Sequence, residues 1–169
     1  MDLHPVDIKT LAPEVFRVFG GQPPLLTAGD ENGCNTMTIG WCQVGVLWNL
    51  PVCTVYVRPE RHTYTFMESH DYFTVSVLPP DQKKITAFCG SHSGRDTDKI
   101  GRCGLTVRYG AGAAPFFDEA EWVLVCRKLY VQDMVPQSAA AEEAILPFYG
   151  EKGGWHRMYT GQVVEAYTR

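Results

Sequence analysis

The sequence predicts a mainly β domain: an antiparallel barrel, closed or partly closed, with helices at its periphery. Three observations carry that expectation. Six or seven segments have the β-branched and aromatic content, or the alternation, of strands. Helical segments fall between some of these strands but do not alternate with them one for one. The gaps after residues 28 and 41 are too short for crossover helices, which argues against a doubly wound parallel sheet.

Taken in order, residues 6–19 mix proline, apolar and charged residues and are expected to drape over the surface until Gly20-Gly21-Gln22-Pro23-Pro24 ends them. Leu25-Leu26-Thr27-Ala28 reads as the first strand. Residues 29–33 form a hairpin turn, with Asn32-Gly33 as its strongest signal. Residues 35–41 make a second strand and Leu50 to Val57 a third, opened by Pro51 where a missing N–H is tolerated. Pro59 suits the first turn of a short helix whose apolar side includes Phe66.

Tyr72 to Leu78 alternates cleanly as a fourth strand and is stopped by Pro79-Pro80. Asp81 is expected to cap a helix running through Phe88. Residues 101–115 read as a flexible, glycine-rich connection. Residues 121–131 form a long strand, apolar on both faces over its first half. Ser138 is expected to cap a short helix, and residues 158–168 form the last strand. No repeat or linker divides the chain, so residues 1–169 are read as a single domain.

The 169 residues suffice for a sizeable core, and 45% apolar with 20% charged residues is ordinary for a globular chain. With a net charge of −4 and no basic run, nothing points to nucleic acid or an anionic membrane surface as a partner. No apolar run approaches a membrane span, and Met1 to Pro5 does not resemble a signal peptide, so a cytoplasmic location is expected. Six scattered cysteines without a Cys-x-x-Cys pair read as reduced, structural thiols, and the histidines offer no zinc spacing.

The richest stretch is Phe88-Cys89-Gly90-Ser91-His92-Ser93-Gly94-Arg95-Asp96-Thr97-Asp98-Lys99-Ile100. Glycines at 90 and 94 permit positive φ, which would turn backbone N–H groups towards an anion. Ser91, Ser93 and Thr97 add donors, Arg95 and Lys99 add charge, and Asp96 reads as the N-cap of a short helix. The inventory suits a loop closing over a polar, phosphorylated ligand; a plain surface turn before a capped helix is the alternative. It is not a P-loop, because three residues separate the glycines and Arg95 follows.

Three signatures in order resemble the FMN-binding split-barrel proteins of the flavin reductase-like and flavoredoxin group. Asn35-Thr36-Met37-Thr38-Ile39-Gly40-Trp41 resembles the family's Asn-x-Met-Thr-x-x-Trp strand. Val57-Arg58-Pro59-Glu60-Arg61-His62-Thr63-Tyr64 resembles its phosphate-side strand-to-helix turn, and residues 89–99 resemble its Cys-Gly-x-x-Ser-Gly-Arg-Asp-x-Asp-Lys loop. The resemblance covers residues 25–100 and is looser beyond. It implies an antiparallel, Greek-key-like split barrel, bound FMN, and a homodimer with the flavin near the subunit interface.

On that resemblance, Arg58, Arg61 and Thr63 would meet the phosphate at a helix start, where free N–H groups favour an anion; solvent-facing residues of an amphipathic helix are the alternative. Asn35, Thr36, Met37 and Thr38 would line the ligand along a strand edge, 36 and 38 on one face and 35 and 37 on the other. Trp41 would flank the ring, or else serve as a core or interface tryptophan. Ser91, Ser93 and Gly94 would donate to the flavin's pyrimidine edge or its ribityl hydroxyls. Lys99 would stabilise reduced flavin at its N1–C2=O locus and raise its potential. Cys89 is a further candidate contact without a base to make it a nucleophile, and His156 would complete the pocket from the C-terminal segment or from a partner subunit.

The function implied is a flavin reductase-like oxidoreductase in which NAD(P)H delivers hydride to N5 of FMN and electrons pass onward. The alternatives are a flavoredoxin-type carrier that holds FMN and is reduced by a protein partner, and a non-redox flavin-binding module. No nicotinamide fingerprint separates the first two.

Overall fold

The computed structural model describes residues 3–7, 22–150 and 154–169. Its strands are β1 (His4–Pro5), β2 (Leu25–Asp30), β3 (Gly33–Thr38), β4 (Cys42–Leu47), β5 (Leu50–Val57), β6 (Tyr72–Val77), β7 (Val107–Tyr109), β8 (Pro115–Phe117), β9 (Trp122–Asp133) and β10 (Arg157–Thr168). Among the described residues the α-helices are α1 (His62–Ser69), α2 (Lys83–Ser91), α3 (Lys99–Cys103) and α4 (Glu142–Ile145).

The main sheet is antiparallel throughout and runs β3-β2-β6-β9-β10-β5-β4, with β1 paired to β10. Its two outer strands, β3 and β4, are consecutive in sequence but do not pair. The link between them is residues 39–41, so the strand ends lie within about 14 Å of one another. The sheet must therefore curl until its edges nearly meet, which leaves a barrel split between β3 and β4.

Alternation decides what fills each face. Leu26, Phe73, Val75, Leu124, Cys126 and Tyr159 point into the barrel with Cys53 and Val55. Their neighbours Leu25, Val123 and Val125 point outward, under Phe116, Phe117 and Leu105 and against Cys89 of α2. That is why β9 is buried on both faces over its first half, as its sequence predicts, and exposed beyond. Full burial of each large side chain contributes roughly 1.5–3 kcal/mol.

Several local expectations are corrected. β4 was not anticipated: it returns into β5 through Trp48-Asn49, both at positive φ (54° and 59°), with Leu47 facing Leu50. Both φ values suit a type I′ turn, reached without the glycine that usually announces one. In the β2–β3 hairpin the central residues are Glu31-Asn32, since Asp30 faces Gly33, and the Asp30 carboxylate accepts from the Asn32 N–H at 2.8 Å. β3 ends at Thr38, so Trp41 lies beyond it.

Asp81 sits in a 3₁₀ turn (Pro80–Gln82), and α2 begins after it without a side-chain cap and continues past Phe88 to Ser91. Gly90 is thus helical, and neither it nor Gly94 has positive φ. Asp98, not Asp96, caps α3, accepting from the Gly101 N–H at 2.9 Å. Residues 101–115 are not a loose connection: they end α3 and supply β7, which pairs with β8. Ser138 ends a 3₁₀ turn, and α4 starts at Glu142 without it. Of the segment expected to drape over the surface, residues 8–19 lie outside the described residues; Val6 packs against the core and donates its N–H to the Ala166 carbonyl.

Candidate functional site

The split is where the three signatures meet. From β3 come Asn35, Met37 and Thr38; from the β5–α1 turn come Arg58, Glu60, Arg61, His62 and Thr63; from the end of α2, the following loop and the start of α3 come Cys89, Ser91, Ser93, Gly94, Arg95 and Lys99. These residues line two adjoining cavities that share Met37, Glu60 and Arg61. The larger, of about 610 Å³, is bounded by Thr38, Ile39, Gly40, Trp41, Tyr56, Arg58 and His156. The smaller, of about 190 Å³, holds Asn35, Thr63 and the α2–α3 residues. The larger volume lies within the ≈ 300–1,000 Å³ of small-molecule sites.

The smaller cavity is built around a buried lock. Asn35, on β3, donates from Nδ2 to the Thr63 hydroxyl at 2.7 Å, and both residues are buried. The loop crosses this pair at Gly94, where a β-carbon would come 1.9 Å from Asn35 Oδ1 and 3.1 Å from His62 Cδ2. Gly94 is needed for close approach, not for a left-handed backbone.

Charge around this cavity is positive and poorly matched. Lys99 is only 5% exposed; its ammonium donates to the Cys89 carbonyl at 3.2 Å and has no carboxylate partner among the described residues. Burial lowers its pKa. Among the described residues, Arg61 has no side-chain hydrogen bond or ion pair, and the Arg95 guanidinium donates to the Glu60 carbonyl, at 3.0 Å, without a carboxylate partner. His62 Nδ1 is buried without a hydrogen-bond partner among the described residues. Burial, then the nearby Arg95 and Lys99, hold this imidazole below the usual histidine range. Three cations that no carboxylate pairs with among the described residues fit an anion.

The larger cavity has aromatic walls. The Trp41 ring, 37% exposed, lies 4.5 Å from His156 and 5.6 Å edge-on from Phe148. The Tyr149 hydroxyl and His156 Nδ1 are 3.1 Å apart. Burial first, then Arg58, lower the His156 pKa to about 4, so the ring is neutral near pH 7. Arg58 donates to the Phe148 carbonyl at 2.7 Å and lies over the Tyr149 ring. Strand register explains the meeting: β10 pairs with β5 so that Arg157 faces Val57, which brings His156 beside Arg58.

The structure thus brings together every predicted site residue except Thr36, whose hydroxyl bonds to Thr27 and the Leu26 carbonyl and lines neither cavity. Two others are engaged within the protein: the Ser91 hydroxyl donates to the Ala87 carbonyl at 2.9 Å, and the Thr38 hydroxyl to the Thr86 carbonyl at 2.5 Å. The Cys89 thiol, pushed up to about 12 chiefly by burial, is no nucleophile. All six cysteines are free, as expected. Sequence reasoning missed Tyr56, Glu60, His62, Phe148 and Tyr149 as site residues, and named Arg95 only as a charge in the loop. His62 and Arg95 sit inside the quoted motifs and were legible there; the aromatic pair depends on how residues 146–149 fold back.

The model of the flavin reductase like domain matches residues 16–169. The chain belongs to that family. The match spans nearly the whole length and makes this a flavin-binding domain of redox type, mostly β and antiparallel. Among solved structures, the flavin reductase-like chain is similar to a flavoredoxin from Methanosarcina acetivorans (25% identity over 88% of this chain and 69% of that one, TM-score 0.69). It is also similar in fold to an FMN-binding domain of a flavin reductases-like enzyme from Shewanella baltica (21%, 99% and 78%, 0.69) and to a Streptomyces globisporus NADH:FAD oxidoreductase (20%, 90% and 79%, 0.61). No curated protein sequence matches it significantly.

Proposed function

We propose that this flavin reductase-like domain binds FMN across the two cavities and oxidises NAD(P)H, passing the electrons onward. The observation that carries the reading is the pairing of a cavity lined by Arg61, Arg95 and Lys99 with a larger, aromatic-walled one at the split. The smaller would hold the phosphate through Arg61, Arg95 and Lys99, with Ser93 and Thr63 as further donors. The cations clustered around the smaller cavity support assigning Lys99 to the phosphate end, whereas the motif alone would put it at the ring. The larger would hold the isoalloxazine ring between the β3 end, Trp41, Tyr56 and His156. When bound, the flavin supplies the hydride and electron chemistry. The protein's part is to bind, orient and exclude water, and no side-chain acid or base is required of it.

A carrier reduced by a protein partner is the second reading, favoured by the 25% identity to a flavoredoxin. We read the chain as a single cytoplasmic domain acting as a homodimer. Val46 and Trp48, 77% and 55% exposed at the β4–β5 hairpin, and Tyr130, 6.0 Å from Trp48, form an apolar surface suited to a second copy. Purified protein should be yellow or take up FMN, and anaerobic NADH or NADPH should bleach it. Yellow protein that neither bleaches would favour the carrier; protein indifferent to FMN would end both readings. A monomer by light scattering would remove the homodimer.

A further inference from the structure

We propose that His62 is a ligand of the nucleotide's phosphate and takes up a proton from solvent when that phosphate binds. The inference rests on the flavin reading and adds to it a residue and a pH dependence. His62 opens α1, lines the cationic cavity and sits against Gly94, with its ring edge-on to Phe66 at 5.3 Å. Its Nδ1 is buried and has no hydrogen-bond partner among the described residues. A neutral imidazole has one donor and one acceptor; a protonated one has two donors, which is what an anion asks for.

The groups facing His62 set the sign. On its own element and the turn before it stand Arg61 and the carboxylate of Glu60. The α2–α3 loop contributes Arg95, the carboxylate of Asp96 and the exposed His92, α3 contributes Lys99, and β3 contributes the uncharged Asn35. Cations prevail near the ring, and with burial they lower its pKa. A phosphate dianion reverses that field and favours the protonated ring. Binding then draws a proton from solvent onto the ring, so the affinity for FMN rises as pH falls, by at most tenfold per unit for one proton. The phosphate's own second ionisation, near pH 6, acts in the opposite direction and matters little above pH 6.5.

The test is titration of the full chain with FMN and with riboflavin, which lacks the phosphate, between pH 6.5 and 8.5. Calorimetry in two buffers of different ionisation heat then counts the protons. Expected for the wild type are FMN binding several-fold weaker at pH 8.5, riboflavin binding independent of pH, and proton uptake with FMN alone. His62→Gln and His62→Asn should each abolish the slope and the uptake. FMN binding with a flat profile and no uptake, or a slope that persists in both variants, overturns the proposal and leaves the flavin reading standing. Failure of the wild type to bind FMN at any pH overturns the flavin reading itself.

Discussion

Gly94→Ala should destabilise the protein, and the reason is spatial. The new β-carbon would lie 1.9 Å from Asn35 Oδ1 and 2.8 Å from its Cγ, where real contacts do not fall below 3.0 Å. Asn35 would have to retreat by roughly 1 Å, against the tight packing of a buried site. It is 6% exposed and tied to Thr63 at 2.7 Å. Losing that bond costs about 0.5–1.5 kcal/mol, and overpacking about 1–3 kcal/mol. Gly94 already has an ordinary backbone conformation, so alanine gains about 0.4–1 kcal/mol by restricting the unfolded chain. The net expectation is a loss of about 1–3 kcal/mol, read as a lower urea midpoint at constant slope. Asn35→Ala removes the obstacle, so in that background Gly94→Ala should be neutral or mildly stabilising. The cycle should therefore show a coupling of about 1–3 kcal/mol. Gly94→Ala as stable as the wild type, or a cycle additive to within about 0.5 kcal/mol, would refute the account of the lock.

Lys99→Met should separate binding from stability. Without a buried cation that lacks a carboxylate, the unliganded protein should be as stable as the wild type or more so. FMN affinity should fall at least tenfold, from a lost charge-assisted bond of about 1.5–3 kcal/mol, and riboflavin affinity should not; equal losses for both would return Lys99 to the ring. Trp41→Ala should weaken FMN and riboflavin alike, by the about 0.5–1.5 kcal/mol of an aromatic contact beyond its area, with unchanged fluorescence titrations as the contrary result. The depressed His156 pKa predicts a pH effect in urea unfolding. Because the unfolded state binds the proton more readily, stability is full above about pH 6.5 and declines as pH falls towards about 4. His156→Gln should flatten that limb, and an undiminished decline in the variant would assign it elsewhere.

Much of this protein was legible in its residues. Alternation along residues 72–78, double-sided apolarity at the start of β9 and the short gap after residue 28 sufficed for an antiparallel barrel, because period and length are local properties. The chemistry of residues 89–99 was readable too, since a run of donors and cations around two glycines is unusual wherever it folds. Trp48-Asn49 hid β4, because positive φ at both residues has no glycine to announce it. Asp98 rather than Asp96 became the cap because α2 runs on to Ser91 and moves the loop along the chain. Tertiary structure alone decided that Gly94 serves proximity to Asn35, that Lys99 is buried, and that His156 stands beside Arg58. Each of these depends on which strand edges the curling sheet brings together across the split, a long-range packing outcome that no residue's own propensity contains.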